Sequence, residues 1–383
     1  MGQLSIWSYP TRILFGAGAA AETGNEVKRL GAARALIVTD KGVIKAGLVA
    51  PVEQALASAG IAMTVFTDVD PNPVEKNVHE GVLAYREAKA DVIVAVGGGS
   101  PLDVGKIIRL KSRPGVHERP LVDYDDATGG DAYITANLPP MLALPTTAGT
   151  GSEVGRSGVV TLDANRRKTV IFSPYLMVNA AILDPELTTS MPARTTAATG
   201  FDALTHCLEA FVSIGDHPMA DAIALGGLRL VAEFLPTAVK NPTDLAARGA
   251  MLKAAMMGAV AFQKGLGACH SLAHPLSNLC GLHHGLANAL CLPAVIDFNA
   301  AVAEAKLAEV ARALGAEPSS RALAEKLREL RRSIGLPESL GTAGVKSEQL
   351  EPLADGAIAD ACHRSNPRPC TRGDLLSLYQ ASL

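Results

Sequence analysis

The sequence predicts two domains of different class: an α/β domain built on a parallel sheet over residues 1–190, and an all-helical domain over 191–383. Three observations lead to this. The chain's 383 residues exceed what one hydrophobic core ordinarily serves and suit two. Short β-branched runs alternate with helical stretches in the first half, the pattern of right-handed βαβ units. From about Met191 onward the texture turns to long Ala- and Leu-rich stretches with few strand-like segments.

In chain order, Ala35 to Thr39 reads as a buried strand, followed by a turn at Asp40-Lys41-Gly42. Ile61 to Phe66 is a second strand, closed by the stiff loop Asp70-Pro71-Asn72-Pro73. Val74 to Ala88 has helical periodicity, and Asp91 to Val96 is a third strand running into Gly97-Gly98-Gly99-Ser100. Met141 to Leu144 is a fourth, ending in Pro145-Thr146-Thr147-Ala148-Gly149-Thr150-Gly151-Ser152, and residues 159–185 keep a less regular β-like texture. Beyond the boundary near residue 190, helices are expected over Thr195–Val212, Met219–Phe234, Leu245–Phe262, Ala301–Ala313 and Arg321–Ser333.

Composition narrows the function classes. With 48% hydrophobic and 19% charged residues the chain reads as a soluble globular protein. A net charge of −3 and only 4% aromatic residues argue against a nucleic-acid partner or an acidic membrane surface. The six cysteines, Cys207, Cys269, Cys280, Cys291, Cys362 and Cys370, form no C-x-x-C pair. The opening MGQLSIWSYPTRILFG lacks the basic and apolar regions of a signal peptide, and Ile6 breaks the myristoylation pattern. Reduced thiols in a cytoplasmic protein are therefore expected. No uninterrupted apolar stretch reaches the ~18 residues of a membrane span.

Two small-residue loops follow strands. A strand running into Gly97-Gly98-Gly99-Ser100 and then a helix sets backbone N–H groups at a helix N-terminus, where a pyrophosphate binds. The G-x-G-x-x-G fingerprint fails at Leu102, and a Walker A loop fails at Ser100 and Ile107. Three glycines alone fit a tight turn equally well. The second loop, 146–152, raises dinucleotide binding above that reading, since ligands of open parallel sheets lie at the carboxyl ends of strands. Asp40, just after a strand, is placed to accept both ribose hydroxyls, and its charge favours NAD over NADP.

Six of the nine histidines fall between His206 and His284. Asp202 and His206 are four residues apart, on one helical face, as are His270 and His274. Pro275 and Gly281 are expected to break that helix and put His283-His284-Gly285 on a separate turn. Three imidazoles and one carboxylate make a donor set for Fe²⁺ or Zn²⁺. A lone D-x-x-x-H is more often a cap and a packed histidine, so spacing leaves the metal and the purely structural readings level. His217, beside a proline, is expected at the surface. No H-E-x-x-H stands in the sequence, which disfavours a metallohydrolase.

Taken in order, these residues resemble the iron-containing (group III) alcohol dehydrogenases over nearly the whole chain. The resemblance rests on Pro10-x-x-Ile13-x-Phe15-Gly16, Asp70-Pro71-Asn72-Pro73, Gly97-Gly98-Gly99-Ser100-Pro101-x-Asp103 and Pro145 to Glu153. It continues through Asp184-Pro185, Thr199 to His206, His270 to Leu276, and His284-Gly285. It implies a dehydroquinate synthase-like fold, an α/β dinucleotide-binding domain followed by an all-α domain, with the active site between them. It further implies that Asp202, His206, His270 and His284 hold one divalent cation, Fe²⁺ placed ahead of Zn²⁺, and that His274 relays protons. Asp40, Asn72, Gly97, Gly98, Gly99, Ser100, Asp103, Thr146, Thr147, Thr150 and Lys168 match positions of dinucleotide contact. The implied reaction is NAD-linked interconversion of a primary alcohol and its aldehyde by a homodimer, the cation lowering the hydroxyl pKa.

Phe262-Gln263-Lys264-Gly265-Leu266-Gly267 before His270 is similar to the 4-hydroxybutyrate dehydrogenase branch. Lys264 is expected either to pair with the carboxylate of an ω-hydroxy acid or to face solvent or a helix end. Cys280, near the same turn, is either an oxidation-sensitive thiol or a packed one. Rival readings are a zinc-dependent polyol dehydrogenase or maleylacetate reductase of the same fold, and a non-redox metal lyase of the dehydroquinate synthase kind. The lyase needs several Lys and Arg residues around a phosphorylated substrate, and residues 195–290 supply few.

Overall fold

The Val-, Ile-, Leu- and Ala-rich runs of the first half become the buried centre of a parallel sheet. A computed structural model describes Tyr9, residues 11–164 and residues 166–383; Pro10 of the opening motif and residues 1–8, Ile6 among them, lie outside the described residues. The strands are β1 (Arg12–Phe15), β2 (Arg34–Val38), β3 (Ala62–Phe66), β4 (Val92–Gly97), β5 (Met141–Pro145), β6 (Ser157–Thr161), β7 (Lys168–Phe172) and β8 (Ala180–Leu183). Six of them form one sheet in the order β1-β8-β5-β4-β2-β3, and every pairing in it is parallel. Strands β4, β5 and β8 are buried throughout, which is why they read as continuous apolar runs rather than alternating ones. Helices α1 (Thr23–Arg29), α2 (Lys41–Lys45), α3 (Ala50–Ser58), α4 (Glu75–Glu87) and α5 (Gly99–Lys111) connect the strands. Val27, Val52 and Leu56 close over one face on Ile37, Val92, Val94 and Leu142.

Strand order decides where this unit binds a ligand. The chain runs outward from β2 to β3, then returns to the other side of β2 and proceeds through β4, β5 and β8. The reversal lies between the directly paired β2 and β4, whose carboxyl ends carry Asp40 and Gly97-Gly98-Gly99. That is the position at which open α/β sheets take a dinucleotide. The less regular segment after β5 resolves into the antiparallel hairpin β6–β7, with Ser157 opposite Phe172. The expected turn at Asp40 is a helix start: its Oδ1 accepts the Val43 N–H at 2.9 Å and caps α2.

The second unit is helical: α6 (Ala193–Val212), α7 (Pro218–Lys240), α8 (Leu245–Ala261), α9 (Ala268–Cys280), α10 (His284–Ala313), α11 (Ser320–Ser333), α12 (Leu350–Ala359) and α13 (Arg372–Ser382). Compact packing divides the chain into this unit, Met191–Leu383 with Ala148–Thr150 and Tyr9, and the sheet unit made of the other described residues up to Ser190. Helix α6 is buried from Thr196 to Val212, so it forms the unit's central rod. By length and composition, α7, the segment Leu245–Lys264 and α10 are each apolar enough to cross a membrane. In the structure 67% of the apolar stretch is buried within the fold for Leu245–Lys264 and α10, against 33% for α7.

Candidate metal centre and nucleotide site

Helix α6 sets Asp202, His206 and Glu209 along one buried face at spacings of four and three residues. Helix α9 brings His270 against that face, and the first turn of α10 brings His284. The His206, His270 and His284 Nε2 atoms stand 4.0, 3.9 and 3.5 Å from Asp202 Oδ1. Asp202, His206 and His270 form the tightest group, with ligand atoms within 4.8 Å of one another; His284 joins it through Asp202. Two donors that share a tetrahedral cation at ~2.1 Å lie ~3.4 Å apart, so these separations suit one ion.

The electrostatics agree with that fit. Burial pushes His206 down to about 4, only partly countered by Asp202. Burial likewise drives His284 well below its ordinary value, so both rings are neutral donors at neutral pH. Burial works to raise the Asp202 carboxyl, but His206, His284, His270 and the Asn288 amide hold it at about 2. His270 moves the other way: burial lowers it most strongly, but the bond and charge of Glu209 together with the charges of Asp202 and Asp360 outweigh that cost. The His270 Nε2 is buried without a hydrogen-bond partner, a costly state that a cation would relieve.

Two of the ligand candidates are held from behind, Asp202 by Asn288 and His270 by Glu209. Asn288, one turn after His284, donates from Nδ2 to Asp202 Oδ1 at 2.8 Å. His274, four residues after His270, meets Asp360 through Nδ1 at 2.7 Å and stacks on the His284 ring at 5.2 Å. Asp360 also accepts from Ser271 Oγ and the Cys362 N–H; against burial, His274 first and then these two bonds hold its carboxyl well below the usual range. The His274 side chain is 37% exposed, so its ring reaches both the cluster and solvent.

Several expectations change here. Pro275 does not break α9; the helix continues to Cys280 and ends at Gly281, whose φ of 66° is left-handed. His284 is then the first residue of α10 rather than part of a separate turn, and exposed His283 stands at the N-cap position without a side-chain bond to the helix. His217 is buried, 3% exposed, because its Nδ1 accepts the Ala220 N–H and caps α7. Lys264 faces a helix end, one of its two expected placements: its Nζ donates to the Phe211 carbonyl at the end of α6 and to Asp221, so it is buried rather than turned to solvent. Burial holds it down at about 8 against that ion pair. Cys280 is half-buried and accepts from Gln349 at 3.5 Å.

In the sheet unit, Gly98 caps α5 and Gly99 begins it, at the carboxyl end of β4. Gly97 has φ 153°, and a Cβ there would lie 2.6 Å from Pro101, so only glycine fits. Thr146 donates its N–H to the Gly97 carbonyl at 2.9 Å, and Thr147 lies against Gly98. The two loops therefore sit side by side. Ser100 Oγ donates to the Pro71 carbonyl and Lys168 Nζ to Asn72 Oδ1, which ties the Asp70–Pro73 loop to the same edge. Asp103 is engaged inward, accepting from Ser152 Oγ at 2.5 Å and Val159 N–H at 3.2 Å. Thr150 belongs to the Ala148–Thr150 segment that packs with the helical unit.

Glu209, Asn288 and Asp360 were missed by sequence reasoning. Glu209 had a signal, an acidic residue seven positions after Asp202 and three after His206, on the same helical face. Asn288 had a weaker one, four residues after His284. Asp360 had none, since 86 residues separate it from His274.

Known proteins agree with the architecture along the whole chain. The family model described as iron-containing alcohol dehydrogenase matches residues 10–185, and that of the C-terminal part of the Fe-containing alcohol dehydrogenase family matches 196–383. A 4-hydroxybutyrate dehydrogenase of Cupriavidus necator is 40% identical over 98% of this chain and 99% of its own length. The crystal structure of a 1,3-propanediol oxidoreductase superposes with a TM-score of 0.94 at 37% identity, covering 99% of this chain and 100% of that one. A sulfoacetaldehyde reductase from Bifidobacterium kashiwanohense, solved with NAD⁺, gives a TM-score of 0.91 at 32% identity over 100% and 99%. The chain belongs to the iron-containing alcohol dehydrogenase family and is an oxidoreductase of that fold.

Proposed function

We propose that this protein is a metal-dependent, NAD-linked alcohol dehydrogenase that interconverts a primary alcohol, in particular an ω-hydroxy acid, with its aldehyde. One observation carries the reading: three imidazoles converge on the Asp202 carboxylate in a buried cluster whose His270 Nε2 has no other partner. Asp202, His206, His270 and His284 are the residues that would hold the cation, with iron placed first and zinc second. When bound, the cation would acidify the substrate hydroxyl, and NAD would accept the hydride.

The chain's own residues supply the rest. His274, fixed at Nδ1 by Asp360, carries the hydroxyl proton toward solvent through its free ring edge. The N-terminus of α5 at Gly98-Gly99 receives the pyrophosphate, and Thr146 and Thr147 flank it. Asp40 at the reversal of strand order accepts the ribose hydroxyls and repels a 2′-phosphate. Gly97, Ser100, Asn72 and Lys168 shape the same edge, Asp103 braces the neighbouring loop, and Thr150 completes the set.

The ω-hydroxy acid is favoured by the Cupriavidus relative, whose name specifies 4-hydroxybutyrate. Lys264, committed to Asp221, is not the group that receives the acid. The polyol, maleylacetate and lyase alternatives have no comparable support. Six free thiols fit a cytoplasmic enzyme, and the family resemblance favours a homodimer, which light scattering after gel filtration tests. Comparing kcat/KM for 4-hydroxybutyrate and 1-butanol with anaerobically iron-loaded protein tests the substrate. Preference for the acid is expected; equal values end the hydroxy-acid reading, and no NADH from any alcohol ends the dehydrogenase reading.

A further inference from the structure

The Glu209 side chain is only 2% exposed and faces the back of His270. Its Oε2 stands 2.6 Å from His270 Nδ1, and its two oxygens also accept the backbone N–H groups of Cys269 at 2.7 Å and His270 at 3.4 Å. On the far side of the ring, Nε2 is 3.9 Å from Asp202 Oδ1 and has no hydrogen-bond partner. The imidazole therefore spans two carboxylates from the same helix, one at each nitrogen. We propose that Glu209 is the positioning residue of the metal centre: it holds the proton of His270 on Nδ1 and fixes the ring plane, so that Nε2 offers its lone pair to the cation.

This rests on the reading that Asp202 and the three histidines hold a metal. An ionised carboxylate only accepts hydrogen bonds, so the nitrogen facing it must carry the hydrogen. Partners of this kind orient ligating histidines in metal sites generally, and their loss costs about 10–100-fold in affinity. A competing role is visible on the same side chain. Cys269 and His270 lie in the first turn of α9, whose N–H groups lack helical partners, so Glu209 also anchors a helix N-terminus. Those two roles predict different measurements.

The test uses full-length wild type and Glu209→Gln, both stripped of metal and titrated with Co²⁺ against a competing chelator, with thermal unfolding of the metal-free forms. Glutamine keeps the volume but must turn its NH₂ group toward either His270 Nδ1 or the Cys269 N–H. A 10–100-fold weaker Co²⁺ affinity with an altered visible spectrum is expected. A lowered Tm with unchanged Co²⁺ affinity and spectrum overturns the proposal and leaves only the helix anchor. If the variant does not fold, a crystal structure of Co²⁺-loaded wild type decides. It must show His270 ligating through Nε2 with Nδ1 on Glu209; ligation through Nδ1 overturns it. Wild type that binds no Co²⁺, Fe²⁺ or Zn²⁺ refutes instead the metal reading beneath it.

Discussion

Gly285 is the residue on which the placement of His284 depends. A Cβ at this position would lie 2.0 Å from the Ala198 carbonyl oxygen, 2.7 Å from its carbon and 3.1 Å from Asp202 Cβ. Ordinary contact begins near 3.4 Å, so Gly285→Ala must open the α6–α10 approach by 3.4 − 2.0, or about 1.4 Å. Backbone provides the obstacle, and no side-chain rotation relieves it. His284, the adjacent residue, has its Nε2 only 3.5 Å from Asp202 Oδ1. Metal–ligand distances tolerate changes of about 0.2 Å, so even a displacement of ~1 Å removes this ligand. The expected result is a Co²⁺ or Zn²⁺ affinity at least ~100-fold weaker, the top of the range for a lost orienting partner. Overpacking adds a stability cost of about 1–3 kcal/mol. Gly315→Ala is the control, because its φ of 72° costs about 1–2 kcal/mol while a Cβ there meets nothing within 4 Å. Chelator competition and thermal unfolding of both variants measure the contrast. Wild-type metal affinity in Gly285→Ala would refute the reasoning.

Three further outcomes are expected. His270→Ala loses metal and turnover together in elemental analysis and NADH assays, whereas His274→Ala and Asp360→Asn keep the metal and lose mainly kcat; an active metal-free His270→Ala contradicts the site, and intact kcat in His274→Ala removes the relay. In metal-stripped protein, His206 sits at about 4 against 6.5 unfolded, so the unfolded chain binds more protons between those values and stability falls as pH falls. At about 1.4 kcal/mol per unit, the loss from pH 6.5 to 5 is ~2 kcal/mol, with depressed His284 adding to it. Raised His270 acts in the opposite sense, its contribution being full below 6.5 and lost as pH rises through its folded value. Denaturant midpoints at pH 6.5 and 5 measure the sum; equal stability contradicts it. Asp40→Ser keeps a cap for α2 but removes the charge, so the NADP-to-NAD ratio of kcat/KM rises at least tenfold; an unchanged ratio removes Asp40 from cofactor choice.

The fold was legible where local chemistry and tertiary position coincide. Strands β4 and β5 read correctly as apolar runs because both faces are buried, and α6 carried its spacing of Asp202 and His206 openly. Pro275 misled because a helix tolerates proline when the rest of its turn is packed; here Gly356 of α12 lies against that ring. Lys264 was legible in part: it faces a helix end, the Phe211 carbonyl of α6, as one of its readings expected, but its ion partner Asp221 arrives from α7, 43 residues earlier, and no local pattern announces it. His217 looked exposed beside its proline, yet capping α7 buries it. Asp360 illustrates the general limit: a partner brought in by packing leaves no periodic trace near the residue it serves.

The central claim is that Asp202, His206, His270 and His284 hold one divalent cation. An anomalous difference map from crystals grown anaerobically with iron, collected at the iron edge, tests it most directly. The account predicts one strong peak bonded to the Asp202 carboxylate and to Nε2 of all three histidines. Iron bound elsewhere, or an empty cluster in protein that is turning over NAD, would contradict it.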